Sequence, residues 1–458
     1  MDPMMDLLQN VIRLRYEDLS DKAIQTAKLS LIDTIGCVFA GCDAPGCDPV
    51  KEQVIDWCGK QESSIMVFGN KVSCPGAAFV NSTMARALDF DTTWVRGMHM
   101  SAASVPTALA VAEMKGDVSG KELLTAMVAG EDLAARIHLA TTDYNGFEPT
   151  GVCGIFGLTA MSGRILGLTE REMLDSMGIA LNRAAGTFQP NIDGALVIRV
   201  MEGFASRSAV ESAILARKGI SGGQNPLNGD YGYARLFSGD AFERESLTRG
   251  LGRDFLGCEE MQFKKFPACG GTASAIQATL ELVASNDIMP ADIAEVTVDS
   301  NQFFHTISGK EYAAETASQA NAQFSYRYTI ANAIVRRRFS VNDIRADALK
   351  DVQVLSLANK IHPRLNNALA KESFRATVVE ITTSNGDRYR KQVNHPKGSV
   401  KNPLTRDETL EKYLENMETS MLRIPKEQSM EIVTLVDDLE SVDDVTKLMD
   451  LLTPCTPT

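Results

Sequence analysis

The segment Ala87–His99, A-L-D-F-D-T-T-W-V-R-G-M-H, sets two carboxylates two residues apart and follows them with a tryptophan, an arginine and a histidine. That spacing keeps Asp89 and Asp91 off a common helix face, so one carboxylate is expected to point inward while the other orients a loop. A buried carboxylate beside the imidazole of His99 would fix the ring's tautomer and tune its pKa toward that of a general base. The same letters also suit an N-capping aspartate and a loop histidine that satisfies backbone. A second segment, Phe263–Ala273 (F-K-K-F-P-A-C-G-G-T-A), offers Lys264 or Lys265 to a substrate carboxylate, with Gly270 and Gly271 letting backbone amides approach an anion. A surface hinge with solvated lysines reads the same way. In the third, Phe324–Tyr328 (F-S-Y-R-Y), Tyr328 is either an acid or hydrogen-bond donor or a core tyrosine.

Other chemistries find little support. There are five histidines, and no H-x-x-x-H, H-E-x-x-H or C-x-x-C pattern that would hold a metal. No G-x-S-x-G elbow, Walker A loop or strand-linked G-x-G-x-x-G is present either. Cys42 and Cys47 share a Gly/Pro-rich loop, but no second pair at metal-ligand spacing joins them, so the nine cysteines read as reduced thiols and no metal site is expected. What remains is acid–base chemistry by side chains.

The elements that must position these residues are helical in the first half. Ser20 caps a periodic run over Asp21–Ala40 that Gly41 ends, and its more apolar part, Leu29–Gly41, carries Asp33 in its middle. The same rhythm fills Val105–Ala112, Lys121–Ala140 entered at Ser119-Gly120, Phe156–Leu166, Glu170–Ala180 behind a Thr169/Glu172 capping box, and Phe204–Ala216. Many core-side residues are Ala, Gly or Ser, which lets helices approach closely. After about Pro267 the pattern changes: Ile293–Asp299 and Arg375–Thr383 alternate as strands, and an Asn385-Gly386-Asp387 turn leads to a return strand, Arg388–Val393. Ser325–Arg338 and Asp343–Asn359 between them read as helix, and the acidic tail Leu410–Leu452 is helical again. The expected fold is mainly α with an α+β domain: a large helical domain over residues 1–266, a smaller α+β lid over 267–405, and C-terminal helices over 406–458 that return to the helical domain. A cleft between two domains is a common place for an active site.

Composition is that of a soluble globular protein: 458 residues, 44% hydrophobic and 23% charged, enough for a large buried core. Lys plus Arg number 46 against 59 Asp plus Glu, a net charge of −13 with no long basic run, which argues against a nucleic-acid partner. Anionic small molecules stay open, because a few local cations can invert the field inside one cleft. No basic-then-apolar leader and no uninterrupted apolar stretch of ~18 residues is seen, so a cytoplasmic protein with no membrane partner is expected.

Taken in order, eight segments resemble the MmgE/PrpD family, which includes 2-methylcitrate dehydratase, cis-aconitate decarboxylase and an iminodisuccinate epimerase. They are L-S-L-I-D-T-I-G-C-V-F-A-G from Leu29, A-L-D-F-D-T-T-W, H-M-S-A-A-S-V-P-T-A-L-A, G-F-E-P-T-G-V-C-G, M-E-G-F-A-S-R-S-A-V from Met201, F-K-K-F-P-A-C-G-G, A-Q-F-S-Y-R-Y, and H-P-K-G-S with the N-P-L-T that follows. The resemblance implies a homodimer with no metal or organic cofactor. It also implies a cleft in which a small di- or tricarboxylate loses or exchanges a proton beside a carboxylate. Residue by residue it assigns catalysis to His99, Asp89, Lys264 and Tyr328 and matches Cys269 to the cysteine after the lysine motif. In that reading His99 moves the proton, Asp89 orients it, Lys264 holds the carboxylate and Tyr328 donates to a leaving hydroxyl. Asp91, Glu148, Arg199 and Lys265 complete the substrate-binding set.

The departures from the family's pattern bear on the substrate. Glu148 stands where many members have histidine, Ile198 and Met201 stand where a lysine and a histidine are usual, and Ala273 replaces another frequent histidine. Fewer cations weaken charge-assisted recognition of a tricarboxylate, and an ionised Glu148 would repel a nearby carboxylate. A substrate with fewer carboxylates, or with an amine or neutral arm, is therefore expected. A lyase, an isomerase or epimerase, and a non-catalytic carboxylate-binding protein all remain compatible with these residues.

Overall fold

Ser20 accepts a hydrogen bond from the amide of Ala23 at 3.1 Å and starts a 21-residue helix, Asp21–Gly41. The computed structural model describes residues 2–94, 97–142, 146–239, 241–313 and 318–453, so Val95 and Arg96 of the Asp89–His99 segment lie outside the described residues. Around Asp21–Gly41 pack the helices Cys74–Arg86, Met100–Lys115, Gly120–Ala140 and Arg406–Thr419, and Ile155–Leu166 and Met201–Arg217 pack on the far side of these. Ser119 caps Gly120–Ala140 through Glu122, and Thr169 with Glu172 forms the expected box at the start of Glu170–Leu181.

Small residues set the helix spacing. A Cβ at Gly130 would stand 2.7 Å from the carbonyl oxygen of Gly157, and one at Gly157 2.1 Å from that of Gly130. The two helices therefore touch backbone to backbone, a distance no larger residue permits. The Asp21–Gly41 helix is long and apolar enough to cross a membrane by length alone, but 83% of its most apolar window is buried within the fold. Asp33 at its middle pairs with Lys412 at 2.7 Å. It is a core helix.

The C-terminal segment lies on this core. Tyr413, in the Arg406–Thr419 helix, comes within 3.2 Å of a Cβ built on Gly36, and Gly120 donates its amide to Val442 at 2.8 Å. A Cβ at Gly120 would stand 1.7 Å from the carbonyl oxygen of Leu439. Gly120→Ala should accordingly cost ~1–3 kcal/mol, the range for overpacking a filled site, read as a lower urea midpoint. An unchanged midpoint would mean that the 439–442 turn moves aside freely.

The chain is 60% helical, with one mixed four-stranded sheet that makes it mainly α with an α+β portion. The strand order is Ile361–Leu365, Ile293–Ser300, Thr377–Thr383, Arg388–Val393; the first pair is parallel, with Val296 opposite Ile361, and the others are antiparallel, with Val298 opposite Val379 and Thr377 opposite Val393. Helices Gly270–Asn286 and Tyr326–Arg336 pack against it. Three of these strands match the sequence reading to within two residues at either end. The fourth, Ile361–Leu365, was not expected: Pro363 and Arg364 interrupt its alternation, which an edge strand tolerates. The single helix expected over Asp343–Asn359 is instead two 3₁₀ turns and a short helix, Val352–Ala358. Asp343 caps the turn beginning at Ser340, and Asp351 caps the helix through the amides of Gln353 and Val354. Each cap starts a new element where a continuous helix was read.

Candidate active site

Helix Cys74–Arg86 ends in a buried arginine, and the chain then turns at Asp89, which adopts φ of +48°. Left-handed backbone is uncommon outside glycine, and a short polar side chain tolerates it best. The turn lets Arg86 donate to Asp89 Oδ1 at 2.7 Å while its Nε donates to Glu202 at 3.1 Å. Lys264 reaches the same oxygen at 2.7 Å and the Asp89 carbonyl at 2.9 Å. One residue on, Lys412 donates to the carbonyl of Phe90 at 2.6 Å, so the Asp33–Lys412 pair grips the loop between its two aspartates.

His99 sits at the mouth of helix Met100–Lys115, with its backbone amide on Thr150 Oγ1 at 3.0 Å and its Nδ1 2.9 Å from Asp91 Oδ2. Burial alone would raise the pKa of Asp91, but His99, Arg86 and Lys264 overcome it and hold the carboxyl below its ordinary range. An ionised Asp91 can only accept, so Nδ1 carries the proton and Nε2 keeps its lone pair. Nε2 lies 3.8 Å from Asp89 Oδ1. Burial and, after it, the Arg86 guanidinium keep the ring's own pKa below 6.5, against the pull of Asp91, and therefore favour the neutral form. Asp89 is also raised by burial, but Lys264 and Arg86 outweigh this and hold it down at about 2. The orienting carboxylate is therefore Asp91, not Asp89, which instead couples the two cations.

Thr150 opens a five-residue π-helical turn, Thr150–Gly154, leading into Ile155–Leu166. Glu148 accepts from the amides of Thr150 at 2.8 Å and Gly151 at 2.5 Å, so it organises this turn from behind His99 without lining the cavity. Burial raises the pKa of both Glu148 and Glu202, disfavouring their ionised forms, although the amides and Arg86 oppose it.

Arg86, Asp89, His99, Lys264 and Cys269 line a narrow cleft that opens to solvent. Of the nine sequence candidates, the structure brings His99, Asp89, Lys264 and Cys269 to this cavity, with Asp91 and Glu148 behind the histidine. The other three are engaged elsewhere. Tyr328 donates its hydroxyl to the Asp343 carbonyl at 2.6 Å and packs against the tilted ring of Tyr312, centroids 5.1 Å apart, as a core tyrosine does. Arg199 ties the Pro45 carbonyl at 2.6 Å to Gln319 at 2.9 Å. Lys265 points outward toward Glu411, at 3.7 Å. Burial pushes the thiol of Cys269 up, so it stays protonated.

Asp89, Asp91 and His99 offer ligand atoms all within 4.8 Å of one another, a spacing that a divalent cation accepts. Arg86 and Lys264 already share Asp89 Oδ1, and Asp91 already holds His99, so the residues present fit an ion-paired proton-transfer site better than a metal cage. The sequence reading missed Arg86, Glu202 and Thr150. Arg86 was within reach of it, since a basic residue three positions before Asp89 at a helix end is the spacing of an ion pair.

Two family descriptions match the chain: the MmgE/PrpD N-terminal domain over residues 6–245 and the MmgE/PrpD C-terminal domain over residues 266–438. Among curated relatives, the cis-aconitate decarboxylase of Aspergillus terreus (strain NIH 2624 / FGSC A1156) is 25% identical over 468 residues, covering 96% of this chain and 93% of that protein. The cis-aconitate decarboxylase of Homo sapiens is 24% identical, covering 95% of this chain and 92% of its own. The 2-methylcitrate dehydratase of Escherichia coli (strain K12) is 25% identical, covering 76% of this chain and 75% of its own. The two family matches together span most of the chain, which therefore belongs to the MmgE/PrpD family.

Proposed function

We propose that the chain is a lyase, a dehydratase or decarboxylase, that acts on a small carboxylate by proton transfer at the carbon next to it. The observation that carries this reading is the pairing of Asp91 with His99 Nδ1, which leaves Nε2 basic at the wall of a cavity that also holds the Lys264 ammonium. Two of the three ammonium protons are spent on Asp89, and the third is available to a substrate oxygen. His99 takes the proton. Lys264 and Arg86 stabilise the negative charge that develops on the carboxylate, in a cavity where such interactions count for more than in water. The relatives named as decarboxylases and dehydratases support a lyase on a small carboxylate. One observation favours an isomerase as the second reading: Cys269 also lines the cavity with its thiol protonated, so a proton could return from a group other than His99.

Incubating the purified protein in D₂O with di- and tricarboxylates and their amino derivatives, and following the α-proton by NMR, tests both. Loss of one α-proton signal with a new product supports the lyase, and loss without net conversion the isomerase. Silence across the panel favours a carboxylate-binding protein. The base must be neutral to work, so the rate should be lost on acidifying, not on raising the pH. Because burial holds His99 below 6.5, the midpoint of the acid limb should lie below that pH. An acid limb centred above pH 6.5 would assign the step to another group.

A further inference from the structure

We propose that the substrate is a monocarboxylate with an apolar arm, its single carboxylate anchored by Arg375 and its arm seated against phenylalanine rings in the same cavity. The inference rests on the carboxylate-lyase reading above and narrows its substrate. Among the described residues three cations line the cavity: Arg86, Lys264 and Arg375. The first two are tied to Asp89 and Glu202, with one Lys264 proton left for the substrate oxygen on which charge develops. Arg375, just before the strand Thr377–Thr383, uses only its backbone: its carbonyl accepts from Ser274 Oγ at 2.7 Å and its amide donates to Ser373 at 3.4 Å. Among the described residues nothing accepts a hydrogen bond from its guanidinium. A Cβ placed on Gly270 would meet that guanidinium at 2.9 Å, so the charge lies flat against the first residue of helix Gly270–Asn286. The positive end of that helix adds to the same field.

Charge counting then limits the occupant. Among the described residues of the wall, Asp89 already takes both Arg86 and Lys264 on one oxygen, so Arg375 is the cation without a carboxylate of its own. The rest of the wall is mainly apolar, Phe188, Phe303, Phe304, Phe324, Phe374 and Ile307, with Thr93, Gly97 and Asn191 beside them. Phe303, Phe304 and Phe374 pack with ring centroids 5.0 to 5.4 Å apart, and Phe188 adds an edge-on contact to Phe303 at 6.2 Å. A second carboxylate laid against these rings would lose its water without gaining a partner, whereas an aryl or branched alkyl group would gain contact area.

Binding can be read by ligand-observed NMR on the whole protein, independently of turnover, with 3-phenylpropionate, its neutral isostere 3-phenylpropanol, succinate and citrate as probes. The expected result is that 3-phenylpropionate binds at least about tenfold more tightly than succinate or citrate, an increment that burying a ring against apolar wall supplies. Arg375→Gln should weaken 3-phenylpropionate by ~10–100-fold, the range for a charged hydrogen bond, and leave 3-phenylpropanol unchanged. Arg375→Lys keeps the charge without the bidentate fork and should fall between the two, which also guards against a misfolded glutamine variant. Tighter binding of citrate or succinate, binding of 3-phenylpropionate indifferent to Arg375, or no binding of any probe at millimolar concentration would each overturn the proposal. If 3-phenylpropionate binds as expected but no carboxylate with an apolar arm exchanges its α-proton in D₂O, the lyase reading fails while the anchor stands. If dicarboxylates exchange equally well in wild type and Arg375→Gln, the anchor fails while the lyase reading stands.

Discussion

His99→Ala should lower the rate of α-proton exchange by ~10²–10⁴-fold, the usual contribution of a positioned general base, with the melting temperature little changed. Asp91→Asn should produce a loss of the same order by a different route. The amide of an asparagine can donate to Nδ1, which would move the ring proton to Nε2 and leave the face toward the cavity without a lone pair. The two residues act as one unit, so the double variant should be no slower than His99→Ala alone. Rates of all three purified variants against wild type measure this directly. A His99→Ala rate within a few-fold of wild type would hand the proton transfer to a different group. A fully active Asp91→Asn would mean that the 2.9 Å contact holds the ring in place without deciding its tautomer.

The largest stability effect is expected at Arg86. Its guanidinium separates Asp89 from Glu202, and all three side chains are almost completely shielded from solvent. Arg86→Ala removes one partner of a buried ion pair and leaves Asp89 with Lys264 alone and Glu202 with no cation. Such a change costs about 3–5 kcal/mol. Urea unfolding of wild type and variant, compared at equal slope, reads it out. Adding Glu202→Gln to Arg86→Ala should recover part of the loss, because the second variant carries one buried carboxylate fewer. A loss under about 1 kcal/mol for Arg86→Ala would show that relaxation or water entry screens the cluster, and the electrostatic account of Asp89 would have to be revised.

How far the sequence led can be judged from these residues. Helix starts at Ser20, Ser119 and Thr169 were legible because capping is local: the side chain that makes the bond sits three residues from the amide it serves. His99 and Asp91 were legible as a possible pair because they share one short segment. Lys264 could be named from its motif, but its grip on Asp89 spans 175 residues, a distance no local pattern encodes. Tyr328 shows the reverse failure. Its motif suggested a donor to substrate, whereas the tertiary fold turned its hydroxyl to the Asp343 carbonyl. The phenylalanine wall escaped notice altogether, since Phe188, Phe303 and Phe374 come from three separate stretches, each with an unexceptional aromatic residue. Asp33 was seen as an interruption of an apolar helix, and its reason lies 379 positions later in Lys412.

That last pair has a consequence for the order in which the protein comes into being. The loop bearing Asp89 and Asp91 is held from one side by Lys264 and from another by Lys412, 322 positions after Phe90. As the ribosome releases the chain from its N-terminus, the helices around Asp21–Gly41 can gather first, with Asp33 buried only when its ammonium partner arrives. Until the Arg406–Thr419 helix has left the exit tunnel, that helix carries an unmatched carboxylate at its centre and the loop lacks a clasp. The loop that carries both aspartates is thus clasped only after a helix made 322 positions behind Phe90 has emerged and folded back on it.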